Sequence, residues 1–258
     1  TAGSDSTAMY SEDTDQSIIN NGIINITGDN SIALLYKPKE ISMAGTSLLL
    51  NRGTINITGD KNVAMYATKM SGTTPEYTVE NNGIITMENS TSLLNPNVAM
   101  YSDSPEHILK NSNLGKITTG KNTIAIYGYG AENIGNIKIG NAGIGIYSQN
   151  GDVKLTGGKI TTGTDEAVGV YTVGTGQNIS NTGTAFDIGD NSFGFVNVGN
   201  NNKITSSVAN VGLKNKNVYV YSNDINGFVI NSTNITSTGE QNYGLYSAGT
   251  VDNYGNID

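Results

Sequence analysis

The chain has no cysteine and no tryptophan, and Arg52 and His107 are its only arginine and histidine. Without cysteine there can be no disulfide, no thiolate zinc ligand and no thiol nucleophile. Such a chain also suits passage across an envelope in the unfolded state without oxidation on the way. The scarcity of arginine, joined to a net charge of −8, argues against nucleic acid or an anionic membrane as partner, because phosphate recognition needs clustered Lys and Arg. No stretch approaches the roughly 20 apolar residues of a membrane span. Thr1-Ala2-Gly3-Ser4 has neither the basic nor the apolar character of a signal sequence, so an export signal is expected outside these residues.

Hydrophobic residues make up 36% of the chain and charged residues 14%, both low for a compact globule, while 33 glycines and abundant Asn, Thr and Ser fill the difference. Such polarity without periodicity would mean disorder. Here it is periodic. Asn51-Arg52-Gly53-Thr54-Ile55-Asn56-Ile57-Thr58-Gly59 runs on to Val63-Ala64-Met65-Tyr66, and the same pattern starts at Asn20-Asn21-Gly22 and closes at Ile32-Ala33-Leu34-Leu35. The consensus is N-x-G-x-I-x-I-x-G-x-x-x-φ-[AG]-φ-Y, where φ is apolar. Its last column is Tyr10, Leu35, Tyr66, Tyr101, Tyr127, Tyr147, Tyr171, Val196, Tyr221 and Tyr246.

Successive members lie roughly 25 residues apart, a period characteristic of solenoids. I-x-I and φ-x-φ alternate with period two, which predicts strands with Ile55, Ile57, Val63 and Met65 inside and Asn56, Ala64 and Tyr66 outside. A unit of this kind cannot bury its own apolar face, whereas stacked units form a continuous core. The expected fold is therefore all-β: a single three-sided, right-handed parallel β-helix over residues 1–258, about ten rungs of roughly 25 residues, open at both ends. The only helical signal is a weak patch at Ser104 to Lys110.

The units ending at Tyr66 and Tyr101 are longer than the rest, and the four prolines, Pro38, Pro75, Pro96 and Pro105, fall between residues 37 and 113. Proline cannot donate to a sheet ladder, so this region is expected to carry inserted loops, Lys37 to Leu50, Ala67 to Glu80 and Ser102 to Asn113, at one corner of successive rungs. Taken singly, each reads first as a tolerated insertion. Together they offer a candidate binding face, with Lys37, Lys39, Glu40, Lys69, Glu76, Tyr77, Asp103, Glu106 and His107 as candidate ligand-binding residues. His107, beside Glu106, reads as a solvated loop histidine.

The tyrosine column reads as a stacking ladder before it reads as a sugar platform, and the Asn column as a structural amide ladder. Asp29 and Asp60 share a turn column and the other carboxylates are scattered, whereas glycoside hydrolysis requires two that face each other across a cleft. No calcium nonapeptide is present, so neither metal nor cofactor is expected, and no enzyme activity.

The repeat, with its richness in Asn, Lys and Ile and near absence of Arg, resembles the passenger repeats of large fusobacterial autotransporter adhesins over nearly the whole chain. The resemblance implies a β-helical passenger displayed on the cell surface and anchored in the outer membrane by a C-terminal barrel absent from these residues. It also implies attachment to host-cell receptors, glycans or partner bacteria, with the segment itself monomeric and outside the membrane. It carries no ligand-binding residue onto a position here. A β-helical polysaccharide lyase or hydrolase, and a passive stalk spacer, are the alternatives.

Overall fold

The computed structural model describes residues 1–12, 17–37, 48–68 and 77–258. Among them every regular element is a strand, and every strand pair is parallel. Two ten-stranded sheets and one seven-stranded sheet, the last followed by a two-stranded pair, form the faces of a coil. Face one runs from Thr7–Ser11 to Tyr243–Ser247, and face two from Ile18–Asn20 to Thr250–Asn253. Face three runs from Ile23–Ile26 to Ala185–Asp187 and is followed by Asn210–Leu213 and Asn234–Ser237. One rung thus consists of Val63–Ala67, Tyr77–Asn81 and Ile84–Met87. This is a parallel β-helix of about ten rungs, and strand spacing alone gives it a length of roughly 45 Å.

Faces one and three are the φ-x-φ and I-x-I strands of the repeat. Face two is the third side that a unit of roughly 25 residues implies; the repeat pattern does not mark its strands, and their position corrects the expected insertions. Ser102 to Asn113 is no insertion: His107–Asn111 is its face-two strand, in register with Tyr77–Asn81. Leu48–Asn51 and Tyr77–Asn81 likewise take the ends of the other two segments into the sheet. The helical patch is absent for the same reason, since most of it is strand.

Face one departs from simple alternation. In all nine of its strand pairs the ladder skips the [AG] column, as in Val98↔Ile124 followed by Met100↔Ile126. The kink turns two consecutive side chains inward. Ala64 and Met65 are both fully buried, whereas Val63 is half-buried beside Tyr66. The expected outward Ala64 and inward Val63 are therefore reversed. The column stays small because a Cβ on Gly145 would lie 2.5 Å from the Gly169 carbonyl of the next rung. Tyr219 breaks the rule and is completely buried, packed edge-on against Phe195 at 5.5 Å, with Gly194 on the rung below. A Cβ on Gly194 would meet the Tyr219 ring at 2.8 Å, so the glycine makes space for the tyrosine. The buried Tyr219 hydroxyl shares a hydrogen bond of 2.7 Å with Ser206 Oγ.

The turn from face three to face one repeats a left-handed residue two positions before the strand's first apolar residue at Asn30, Lys61, Asn122, Ala142, Glu166, Asn191, Lys216 and Gln241, and Asp5 holds the same place before Thr7. Pro96 occupies this position in the lengthened turn, where proline's ring forbids positive φ. Ala142, at φ 51°, has no side-chain hydrogen bonding to offset the strain. Ala142→Gly is expected to raise stability by about 0.5–1 kcal/mol, read as a higher thermal midpoint.

Two ladders run along the coil. Buried Asn20, Asn51, Asn81, Asn111 and Asn133 pass one amide hydrogen bond from each Nδ2 to the next Oδ1 at 2.8, 2.9, 3.0 and 2.9 Å. On the outside of face one, Tyr66, Tyr101, Tyr127, Tyr147 and Tyr171 form a column with ring centroids 4.8, 5.1, 4.8 and 5.2 Å apart. Tyr147 and Tyr171 are stacked, Tyr127 and Tyr147 meet edge-on and the other two pairs are tilted, so the rings contact one another along the column as the ladder reading expects, without uniform face-to-face stacking.

Candidate functional site

The chain leaves face one after Tyr36, Ala67 and Ser102 and enters face two at Leu48, Tyr77 and His107, so the three connections share one corner of successive rungs. Lys37 is exposed there. Lys39, Glu40, Lys69 and Glu76, with Pro38 and Pro75, lie outside the described residues. Tyr77 opens its face-two strand opposite His107.

The third connection is short and internally bonded. Tyr66 donates its hydroxyl to Asp103 Oδ2 at 3.1 Å, Ser102 Oγ lies 2.6 Å from His107 Nδ1, and Ser104 donates to Glu106. His107 is a strand residue with 3% exposure, which overturns the solvated loop histidine. Burial pushes its imidazole below the ordinary value, with the Asp103 and Glu106 carboxylates opposing. Burial first, and then the Asp103 charge, pushes the Tyr66 and Tyr101 hydroxyls upward. The Ser102–His107 contact is not an exposed nucleophile pair: Ser102 is 1% exposed and its Oγ also accepts from Ser104 N at 3.1 Å. The cluster therefore fixes the corner and holds it closed.

Unfolded histidine binds a proton near its ordinary value of 6.5, whereas buried His107 resists one. Stability is thus fully present above that pH and falls as the solution becomes more acidic. His107→Gln is expected to flatten the fall in thermal midpoint across about pH 7 to 5.

Beside this corner a groove of about 200 Å³ is lined by Pro105, His107, Tyr129, Glu132, Asp152 and Lys154. Lys154 Nζ pairs with Glu132 at 3.3 Å. In register Glu80, Lys110, Glu132 and Lys154 alternate in sign along this part of face two, so their charges balance. Among the described residues no three acidic or histidine side chains gather closely enough to hold a metal ion. Asp29 and Asp60 accept the backbone N–H of Asp60 and Thr91 in the neighbouring rungs, at 2.7 and 2.9 Å, and so act as turn residues.

The rungs that carry the two longer connections are also those that resemble a known domain. Residues 1–93 match the family model of the BigA fourth domain. BigA is a large bacterial surface protein of adhesin-like type, and the match supports a bacterial surface, adhesin-like protein here. The BigA-like stretch includes the connections after Tyr36 and Tyr66 and ends at Leu93, inside the lengthened turn; it spans less than half of the chain. No curated protein and no solved structure matches the chain.

The three connections leave face one and enter face two at the same corner, and His107, expected in solvent, is buried there. The signal is present in the chain: His107-Ile108-Leu109-Lys110-Asn111 ends in the same Asn column as Tyr77-Thr78-Val79-Glu80-Asn81. Aligning on that Asn makes His107 a strand residue.

Proposed function

We propose that this segment is part of the surface-displayed shaft of a bacterial adhesin, an autotransporter passenger held at the outer membrane by a barrel elsewhere in its parent. It works without catalysis and as a monomer. Its partner is a host-cell receptor, a glycan or another bacterium, met at the corner between faces one and two. The observation that carries this reading is the coincidence, in residues 1–93, of a surface-protein likeness with the two long connections emerging at one corner. A stacked coil supports such a role physically, because each rung is held by its neighbours and connections can lengthen without disturbing the ladder.

The test is to replace residues 38–47 and 69–76 by links as short as Asp103 to Glu106 and measure binding to host cells, partner bacteria and a glycan array. The expected result is an unchanged thermal midpoint with binding lost. Unchanged binding would clear the corner of this role, and no binding by the intact chain would leave a passive spacer.

A further inference from the structure

Face three carries a charge pattern opposite to that of the whole chain. The protein has 22 acidic and 14 basic residues. Yet the seven strands from Ile23–Ile26 to Ala185–Asp187 contain three lysines, Lys116, Lys138 and Lys159, and one acid, Asp187. The lysines occupy three successive strands. Lys116 is opposite Asn136, which is opposite Lys159, while Thr118, Lys138 and Thr161 form the adjacent outward column. Lys116 and Lys159 are thus two strand spacings apart, about 10 Å, with Lys138 between them and to one side.

All three lysines are exposed. Short Asn136, Thr118 and Thr161 between the long lysine stems leave a groove of about 340 Å³. Its floor has hydroxyl and amide groups and its rim has ammonium groups. Lys159 reaches Asp187 at 2.8 Å, and Lys214 from the next rung reaches the same carboxylate at 2.9 Å. These two contacts hold the Asp187 carboxyl below its usual range. They leave four lysines around one aspartate. Lys116 and Lys138 have no acidic partner among the described residues. On face two, by contrast, Lys110 and Lys154 each stand in register beside a glutamate, and Lys154 pairs with Glu132.

We propose that this groove on face three binds an anionic polysaccharide. Its anionic groups would meet the ammonium groups of Lys116, Lys138 and Lys159, and its hydroxyls would meet Thr118, Asn136 and Thr161. A linear polyanion fits the arrangement because the charges are repeated along the coil axis, whereas a single small anion would engage only one end. The groove lies on a different face from the corner discussed above, and the proposal stands whether or not that corner binds.

The experiment measures binding of the intact chain to immobilised heparin, polygalacturonate and uncharged dextran at low and raised salt. The triple variant K116Q/K138Q/K159Q is compared with a charge-matched control, K110Q/K203Q/K216Q. Binding to heparin alone assigns sulfated chains, binding to polygalacturonate alone assigns uronates, and binding to both assigns polyanions in general. In each case the triple variant is expected to bind about tenfold more weakly or worse, with the control unchanged and salt weakening the interaction. Circular dichroism of both variants keeps loss of binding separate from loss of fold. Absence of binding to either polyanion at low salt, equal binding to dextran, or equal loss in both variants overturns the proposal.

Discussion

Gly83→Ala is expected to destabilise the coil by about 3 kcal/mol or more and to open its N-terminal half to protease. Gly83 follows the buried Asn81 in the turn from face two to face three, directly over Gly53. A Cβ there would lie 2.2 Å from the Gly53 carbonyl oxygen and 2.8 Å from the Arg52 carbonyl carbon. Both obstacles are backbone held at the rung spacing by the ladders on either side, so neither can move without breaking hydrogen bonds. Gly53 meets the Gly22 oxygen at 2.0 Å in the same way, and Gly135 meets that of Gly115 at 2.3 Å. Gly22 is a matched control, because its nearest neighbour is an Asn20 side-chain atom at 4.0 Å. Gly22→Ala should leave the thermal midpoint nearly unchanged. Equal effects of the two substitutions would mean that the glycine column is not fixed by contact between rungs.

The second large effect is expected at Asn81. Its Oδ1 accepts from Asn51 Nδ2 at 2.9 Å, and its Nδ2 donates to Asn111 Oδ1 at 3.0 Å, with no exposure to solvent. Asn81→Asp keeps the shape but turns the donor into an acceptor facing an acceptor, and puts a charge in the core. The expected cost near neutral pH is about 3–5 kcal/mol. Burial should raise the new carboxyl's folded pKa. Protonation restores a donor, so part of the loss should be recovered as pH falls through that raised value. Leu155 shows how the coil accommodates an apolar residue in this column: Asn133 turns its Nδ2 to the Gly135 carbonyl at 3.1 Å, and Asn181 turns to the Thr184 carbonyl at 3.1 Å. Asn81→Leu is accordingly expected to cost less than Asn81→Asp. Urea unfolding at several pH values checks both orders.

The period of the coil was legible because two of its three faces have apolar strands of period two. The unit length implies a third side, but the strands of face two were hidden because they lack the I-x-I and φ-[AG]-φ patterns and carry charge on the outward side, as Glu132 and Lys154 do in Ala131–Asn133 and Val153–Leu155. Its one constant feature, the terminal Asn, was legible as a column but not as the end of a strand. The same gap turned Ser102 to Asn113 into an apparent insertion and placed His107 in solvent. The skipped [AG] column was also out of reach, since a small residue at an alternating position reads as outward-facing until the neighbouring rung's backbone is seen against it. Of the candidate site, the corner was readable from chain lengths and prolines. The lysines of face three were not, because residues 116, 138 and 159 become neighbours only through the register of three separate strands.

Every site described above depends on the rungs being coaxial and in register, and the absence of cysteine makes this directly measurable. Nitroxide labels at Asn56→Cys and Thr161→Cys lie in one outward column of face three, linked through Thr86, Thr118 and Lys138. Four strand spacings separate them, so pulsed dipolar spectroscopy is expected to give one distribution centred near 19 Å, although the two sites are far apart in sequence. A broad distribution, or one centred beyond about 30 Å, would contradict the stacked coil and every assignment that rests on it.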